Sequence, residues 1–488
     1  MALAGYGALT TALQPLLRLK LARRGAQEPG YREAVEERFG RYCSPPSSDW
    51  LWVHAVSLGE TRAAALWVNR LRERRPDIRI LWTHGTATGR AEGQRHLRPG
   101  DAQVWLPWDA PGPVARFLAH FRPRVGVLME TEVWPVLTDA CARAGVPLLL
   151  VNARLHVRSA QRAQRLAWLA RPAYRRLAGV WAQTVADAER LRALGAPVEP
   201  PAGGVIGNVK FDVPWHPPPW ALGQAWRVAW RARTASACSP KGRPILMLAS
   251  SRDGEELAWS AAWRRWRVSD ASAANCRVPD PLPSAQARTG GGEAAFVVQA
   301  GPAPVRPLWL VVPRHPQRFD AVEAALRQQG WRVVRRSALG ALHAPAHWPE
   351  PYAQADVLLG DSVGEMPWYY GLADAALLGG SFGPYGGQNL IEAAACDCPV
   401  VVGPHTFNFA FAAEAAIEAG AARRAHDIEA GVAHAMQWLA DPPALAAARQ
   451  ACAALLAAHG GAAQRCAEAV LRVWAEREPA PGHSLSPD

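Results

Sequence analysis

The sequence predicts two α/β domains, each built on a parallel sheet wound by helices on both faces. Three observations predict it. Short apolar runs recur along the chain, a helix-like stretch follows most of them, and the alternation restarts after a proline-rich break. Apolar runs of strand length separated by amphipathic segments are the pattern of parallel strands with crossover helices.

The first series is explicit. "LWVHAV" (51–56) precedes "GETRAAALWVNRLRERR", "IRILWTH" (78–84) precedes "GTATGRAEGQRHL", and "VGVLME" (125–130) precedes "VWPVLTDACARAG". "PLLLVN" (147–152) and "GVWAQT" (179–184) continue it. The proline-rich "DVPWHPPPW" (212–220) marks the expected interdomain linker, residues 213–243. The second series is "ILMLAS" (245–250), "LWLVVP" (308–313), "WRVVRR" (331–336), "DVLLGD" (356–361), "AALLGG" (375–380) and "PVVVGP" (399–404). Residues 269–295 hold few large apolar side chains and read as a flexible insertion. The expected division is therefore an N-terminal segment (1–24), a first domain (25–212), the linker (213–243), a second domain (244–460), and a helix end and tail (461–488).

The chain has 488 residues and a formal net charge of +12, which favours a polyanionic partner. It carries no recognisable nucleic-acid module and no local stripe of basic and aromatic residues, so charge alone speaks for nucleic acid. The eight cysteines include no CxxC pair; reduced thiols in a cytosolic setting are expected. The opening "MALAGYGALTTALQPLLRLKLARR" has no charged side chain before Arg18, then Arg18, Lys20, Arg23 and Arg24. It lacks the charge order of a secretory signal and is weak for a spanning helix. It suits a segment lying on an anionic membrane surface, or else the first helix of a soluble domain.

Several strand-to-helix turns carry chemistry. In "VSLGETRAA" (56–64), Ser57 and Glu60 have capping-box spacing, and Glu60 is also placed to act as a general base at a strand's carboxyl end. Both readings can hold at once. "METEVWPVL" (129–137) puts Glu130 and Glu132 past a strand, on one side if the strand continues, or simply at a helix start. Lys210 in "GNVKFD" sits at a domain edge. "VVPRHPQRF" (311–319) holds Arg314 and His315 between Pro313 and Pro316, a rigid turn suited to a phosphate. "GDSVGEMPWYYGLAD" (360–374) places Gly364, Glu365 and Met366 where backbone amides can meet a nucleotide. "GGSFGPYGGQNLIEAA" (379–394) has five glycines in nine residues, then Asn389 and Glu392 at a helix start. It is neither GxGxxG nor a P-loop; it reads as an anion cradle with Glu392 on a ribose diol, or as a capping-box variant.

The series "HAVSLGE", "LPWDAP", "METEVWP", "NARLHVRS", "GNVKFD", "PRHPQRF", "GDSVGEM" and "GGQNLIEAAACDCPVVVGPHTFNF" resembles, in order, the 3-deoxy-D-manno-octulosonic acid (Kdo) transferases of lipopolysaccharide synthesis. The resemblance runs from about residue 10 to 460. It implies a GT-B fold, two Rossmann-like domains facing across a cleft, and an inverting, metal-independent transfer with no cofactor. Kdo would pass from CMP-Kdo to the tetraacylated lipid A precursor, lipid IVA, at the cytoplasmic face of the inner membrane. Glu60 would be the general base, and Glu130 and Lys210 would stabilise the transition state. Pro313, Arg314, Gly364, Glu365, Met366, Asn389, Leu390, Ile391 and Glu392 would hold CMP. The chain departs from the family in the long 269–295 insertion, a less apolar N-terminus, and Gln317 where an acid is common. A UDP-sugar transferase and a non-catalytic nucleotide-sugar binder are the alternatives. UDP binding would mark the first. A Glu60→Gln variant with unchanged function would mark the second.

Overall fold

The computed structural model describes residues 2–236, 240–275, 306–343 and 348–478. The chain forms two compact units: Met1–Asp212 with His459–Asp488, and Val213–Ala458.

The first unit is built on seven parallel strands: β1 (Trp50–His54), β2 (Ile80–His84), β3 (Ala102–Trp105), β4 (Pro123–Met129), β5 (Leu148–Ala153), β6 (Gly179–Ala182) and β7 (Gly203–Val205). Their spatial order is β3-β2-β1-β4-β5-β6-β7. The chain runs outward from β1 to β3, then starts again beside β1 with β4. Strand alternation divides the core. Leu51 and Val53 face one layer with Trp67, Val68 and Leu71, while Trp50 and Trp52 face the other with Val114 and Phe117. Two of the strands, β3 and β7, were not expected. They are an edge strand with half-exposed residues and a three-residue strand "GGV", both too weakly apolar to signal burial.

The second unit repeats the plan with β8 (Ile245–Ser251), β9 (Leu308–Pro313), β10 (Val333–Arg335), β11 (Val357–Leu359), β12 (Ala375–Leu378), β13 (Val400–Val402) and β14 (Ala422–Arg424). The order is β10-β11-β9-β8-β12-β13-β14, again parallel throughout. Its core packs Trp259, Trp263 and Trp309 against Leu246, Leu248 and Val311.

Three expectations are corrected. Most of the proposed linker is a 17-residue helix, Pro218–Thr234, that belongs to the second unit. Its prolines stand at the helix start, where the missing amide costs nothing, so they mark an entry and not a break. Trp226 and Trp230 pack against Trp348 at ring distances of 4.8 and 5.2 Å. The C-terminal helix Ala462–Ala475 is no trailing end of the second domain. It returns to the first unit and buries Cys466, Val470 and Trp474 against Trp67 and Val125. Asp212, the last residue before the chain leaves that unit, accepts from the amides of Gly461 (2.5 Å) and Ala463 (2.9 Å) and so caps the returning helix. Finally, residues 269–275 of the expected insertion continue the helix Glu255–Asn275; the rest of it lies outside the described residues.

The N-terminal segment forms two helices, Ala2–Ala12 and Gln14–Gln27. The first docks on the first unit: Leu3 and Tyr6 pack on its core, and Tyr6 donates to Asp109. Among the described residues no helix is long and apolar enough to cross a membrane.

Asp374 anchors the Pro218–Thr234 helix. Its buried carboxylate accepts from Arg231 (2.7 Å), Arg449 (3.1 Å) and the Ile245 amide (2.8 Å). Arg227 lies 3.7 Å from the same carboxylate, so removing it leaves three partly buried guanidinium groups without their acid. Asp374→Ala is expected to cost about 3–5 kcal/mol, read as a lower urea midpoint for unfolding of the second unit.

Candidate active site

In an open parallel sheet, ligands bind at the carboxyl ends of the strands where the strand order reverses. In the first unit that point lies between β1 and β4. Glu60 follows β1 and Glu130 follows β4, so the topology alone brings these two predicted residues together.

Glu60 lies in the first turn of the helix Leu58–Arg74, and Ser57 caps it, with the Glu60 carboxylate reaching back to the hydroxyl of Ser57 and the amide of Val56 in a variant of the capping box. The Glu60 amide donates to Ser57 Oγ (3.4 Å), Ser57 Oγ donates back to Glu60 Oε1 (3.2 Å), and the Val56 amide donates to Oε2 (2.9 Å). The residue remains partly exposed. Burial against the strand ends and the nearby Glu130 raise its pKa to about 7, against the pull of the Val56 amide. A carboxylate with its pKa near neutrality has the basicity that proton removal near pH 7 requires.

Glu130 is buried and its backbone is left-handed, with φ of 55°. That conformation ends β4 and turns the side chain inward. Lys210 Nζ and Arg154 Nε each lie 2.6 Å from one of its oxygens. Burial pushes the Glu130 carboxyl up, but Lys210 and Arg154 outweigh it and hold the group below the ordinary range. Glu130 and Glu132 therefore do not act as a matched pair. Glu132 accepts from Trp134 Nε1 at 3.0 Å, and burial raises its pKa.

Sequence reasoning missed Arg154 as a site residue, although "NARLHVRS" contained it. Its signal was position: it follows β5, the neighbour of β4. Asn152 was missed as well. Its Oδ1 accepts from the Val209 amide at 3.1 Å and sets the turn that carries Lys210.

In the second unit the reversal lies between β8 and β12. Pro313 ends β9, and Arg314 follows it, its Nε donating to Gln388 at 3.2 Å. Gly364 has φ of 86° and open space where a side chain would be. Glu365 stands at the N-cap position of the helix Met366–Leu372, and its carboxylate is taken up by Arg336 (2.8 Å) and Ser362 instead of by the helix amides. Leu390 and Ile391 are buried, so their side chains pack inside the unit and do not face a ligand. The Asn389 side-chain Oδ1 accepts from the Ile391 amide (3.1 Å), and Glu392 lies in the turn Ile391–Ala394. That helix is a single turn, so a dipole aimed at a phosphate has little strength, contrary to the cradle expected from sequence. The glycines have a different cause. Gly380, Gly386 and Gly387 all have φ near 80° or 70°, and a Cβ on Gly379 would sit 2.6 Å from the Ser250 carbonyl oxygen. The segment "SSRDGEE" (250–256) was also missed. Glu255, buried after β8, accepts the Gly380 amide at 2.8 Å and the Arg252 amide at 2.7 Å, and so ties the β8 exit to the glycine loop.

The Glu130 triad predicts a testable coupling. Lys210→Met leaves a buried carboxylate with one cation and is expected to cost about 3 kcal/mol. Adding Glu130→Gln is expected to recover much of that loss, read as a positive coupling in a double-mutant cycle of unfolding.

Residues 33–213 match the family model described as 3-deoxy-D-manno-octulosonic-acid transferase (kdotransferase). The chain is 42% identical over 479 residues to the 3-deoxy-D-manno-octulosonic acid transferase of Bordetella pertussis, covering 96% of this chain and 99% of that one. It is 29% identical to the enzyme of that name from Haemophilus influenzae, covering 83% and 82%. Among solved structures, a glycosyltransferase from Rickettsia africae shares the fold, with a TM-score of 0.51 at 11% identity, over 88% of this chain and 98% of that one. Two parallel-sheet α/β units with these relatives make a GT-B glycosyltransferase, and the chain belongs to the 3-deoxy-D-manno-octulosonic acid transferases of lipopolysaccharide synthesis.

Proposed function

We propose that the protein transfers Kdo from CMP-Kdo to a hydroxyl of lipid IVA, with inversion and release of CMP. The observation that carries this reading is Glu60. It is a partly exposed carboxylate with a pKa of about 7, beside the ion triad Glu130–Lys210–Arg154. Glu60 removes the proton from the acceptor hydroxyl as oxygen attacks the anomeric carbon. Attack on the face opposite the leaving CMP inverts that centre. Glu130 and Lys210 stabilise charge as it develops. The second unit holds CMP through Arg314, the backbone at Gly364, Glu365 and Met366, and the turn from Asn389 to Glu392. CMP leaves as a phosphate monoester, and Arg314 offsets the charge that a metal ion would otherwise meet.

The acceptor is an anionic lipid, and we place the enzyme on the cytoplasmic face of the inner membrane. What supports this is a surface of the first unit. Leu9, Leu13, Leu16 and Leu19 of the N-terminal helices are exposed, as are Val157, Leu166 and Trp168. The helices Ala2–Ala12 and Ala167–Arg175 touch, and exposed arginines 158, 162, 165 and 171 lie among the apolar residues. Apolar side chains bordered by arginine suit the boundary between acyl chains and anionic headgroups.

Incubation with CMP-Kdo and lipid IVA, followed by mass spectrometry of the lipid, tests the reaction. A gain of Kdo mass is expected, with a loss of at least about 100-fold in Glu60→Gln. The rate should fall about tenfold per pH unit below 7 as Glu60 protonates, and level off above 7. Stability should move the other way. The folded pKa lies above the ordinary 4.5, so ionised Glu60 costs stability fully above pH 7 and not at all well below 4.5. Glu60→Gln should therefore melt no lower than the parent at pH 8. Equal activity in the variant would make Glu60 a cap only. For the membrane surface, Leu16→Glu with Trp168→Glu should reduce sedimentation with anionic vesicles at unchanged melting temperature.

A further inference from the structure

The reaction's donor poses a recognition problem that the CMP-holding residues leave open. An octulosonic acid carries its carboxylate on the anomeric carbon, the carbon that also bears the phosphate ester in the donor. Two anions thus lie close together, and a site with one arginine would meet only one of them. A neutral sugar presents no such second charge.

The second unit supplies a second cation where the strand order reverses. Arg252 leaves β8, which stands beside β12, and the glycine loop leaves β12. Glu255 accepts the amides of both Arg252 and Gly380, so the two exits are joined by one buried carboxylate. The Arg252 side chain lies along the loop. Its Cγ is 3.4 Å from where a Gly380 Cβ would stand, and its guanidinium lies 4.7 Å from the centre of the Tyr385 ring. Its Nη1 donates to His315 Nε2 at 3.2 Å, which ties it to the β9 exit that carries Arg314. Arg314 in turn donates to Gln388 at the far end of the same loop. Two guanidinium groups from two strand ends therefore flank one glycine loop, Arg252 half-exposed and Arg314 exposed. The neighbouring Arg318 does not compete for this role, because Glu256 accepts from both of its Nη atoms at 2.9 Å. His315 stays neutral beside them: burial and then the nearby arginines lower its pKa, so its Nε2 can accept from Arg252.

We propose that Arg252 receives the carboxylate of the transferred sugar acid while Arg314 receives the phosphate, so that Arg252 is the residue that selects an acidic sugar donor. This rests on the CMP-Kdo reading above. A guanidinium fork matches a carboxylate with two parallel hydrogen bonds, a geometry that lysine cannot reproduce.

The test compares wild type, Arg252→Gln, Arg252→Lys and Arg314→Gln as full chains. CMP binding is measured by calorimetry, and KM for CMP-Kdo in the transfer assay. CMP lacks the carboxylate, so it separates the two roles. Arg252→Gln is expected to raise KM about 10- to 100-fold while the Kd for CMP moves less than about twofold. Arg252→Lys should recover part of the loss, and Arg314→Gln should weaken both. Equal losses of CMP and CMP-Kdo binding in Arg252→Gln would overturn the proposal, as would no loss of either. Wild-type protein that binds CMP but turns over no CMP-Kdo would overturn the donor reading itself, and the proposal with it.

Discussion

The first unit depends on one buried carboxylate. Glu130 sits in a left-handed turn with almost no solvent, a state that an isolated carboxylate could not hold. Lys210 and Arg154 make it tenable, and each arrives from a different strand. The triad thereby fixes the exits of β4, β5 and β7 relative to one another. Its influence extends along the chain. Lys210 lies in the short turn Val209–Asp212, and Asp212 caps the helix that returns from the second unit. That helix covers the face of the sheet that packs Trp67 and Val125. A charge cluster at the carboxyl edge and an apolar layer beneath the sheet are thus joined by three residues of chain.

The same cluster sets the chemistry of Glu60. Its pKa is raised first by burial and next by Glu130, with Glu132 adding to it and Lys210 opposing it. Glu130 can raise the pKa of its neighbour only because its own two cations keep it ionised. Capping and the proposed role of Glu60 as a base do not compete. The Val56 amide and Ser57 hydroxyl hold the Glu60 carboxylate in one place, which a base needs, while burial supplies the basicity that those hydrogen bonds alone would remove.

Much of this was legible in the sequence, and the exceptions have physical causes. Central strands such as "LWLVVP" are buried on both faces, so their composition announces them; "GGV" at 203–205 and "ARR" at 422–424 are sheet edges whose pairing is made by backbone, which composition does not record. The linker was misread because proline at a helix start and proline in a loop look alike until the tryptophans beyond it find partners. Glu60 and Glu130 were visible as acids after strands. Arg154 and Arg252 were not, because an arginine is informative only through what it faces, and what they face comes from strands far away in the chain. Glu255 was hidden for the same reason: its partner, Gly380, is 125 residues on.

The two units solve opposite electrostatic problems with one topology. At the reversal point of the first, the acids are foremost and the cations are held by them: Lys210 and Arg154 lie against Glu130, which leaves Glu60 as the group with basicity to offer. At the reversal point of the second, the acids are withdrawn into the backbone. Glu255 takes up amides and Glu256 takes up Arg318, which leaves Arg252 and Arg314 facing the glycine loop. A carboxylate bonded to amides neutralises no side-chain cation, so the second unit keeps its positive charge where an anion can meet it. The proposed division of labour, proton removal in one unit and anion binding in the other, rests on which partners the buried acids have taken.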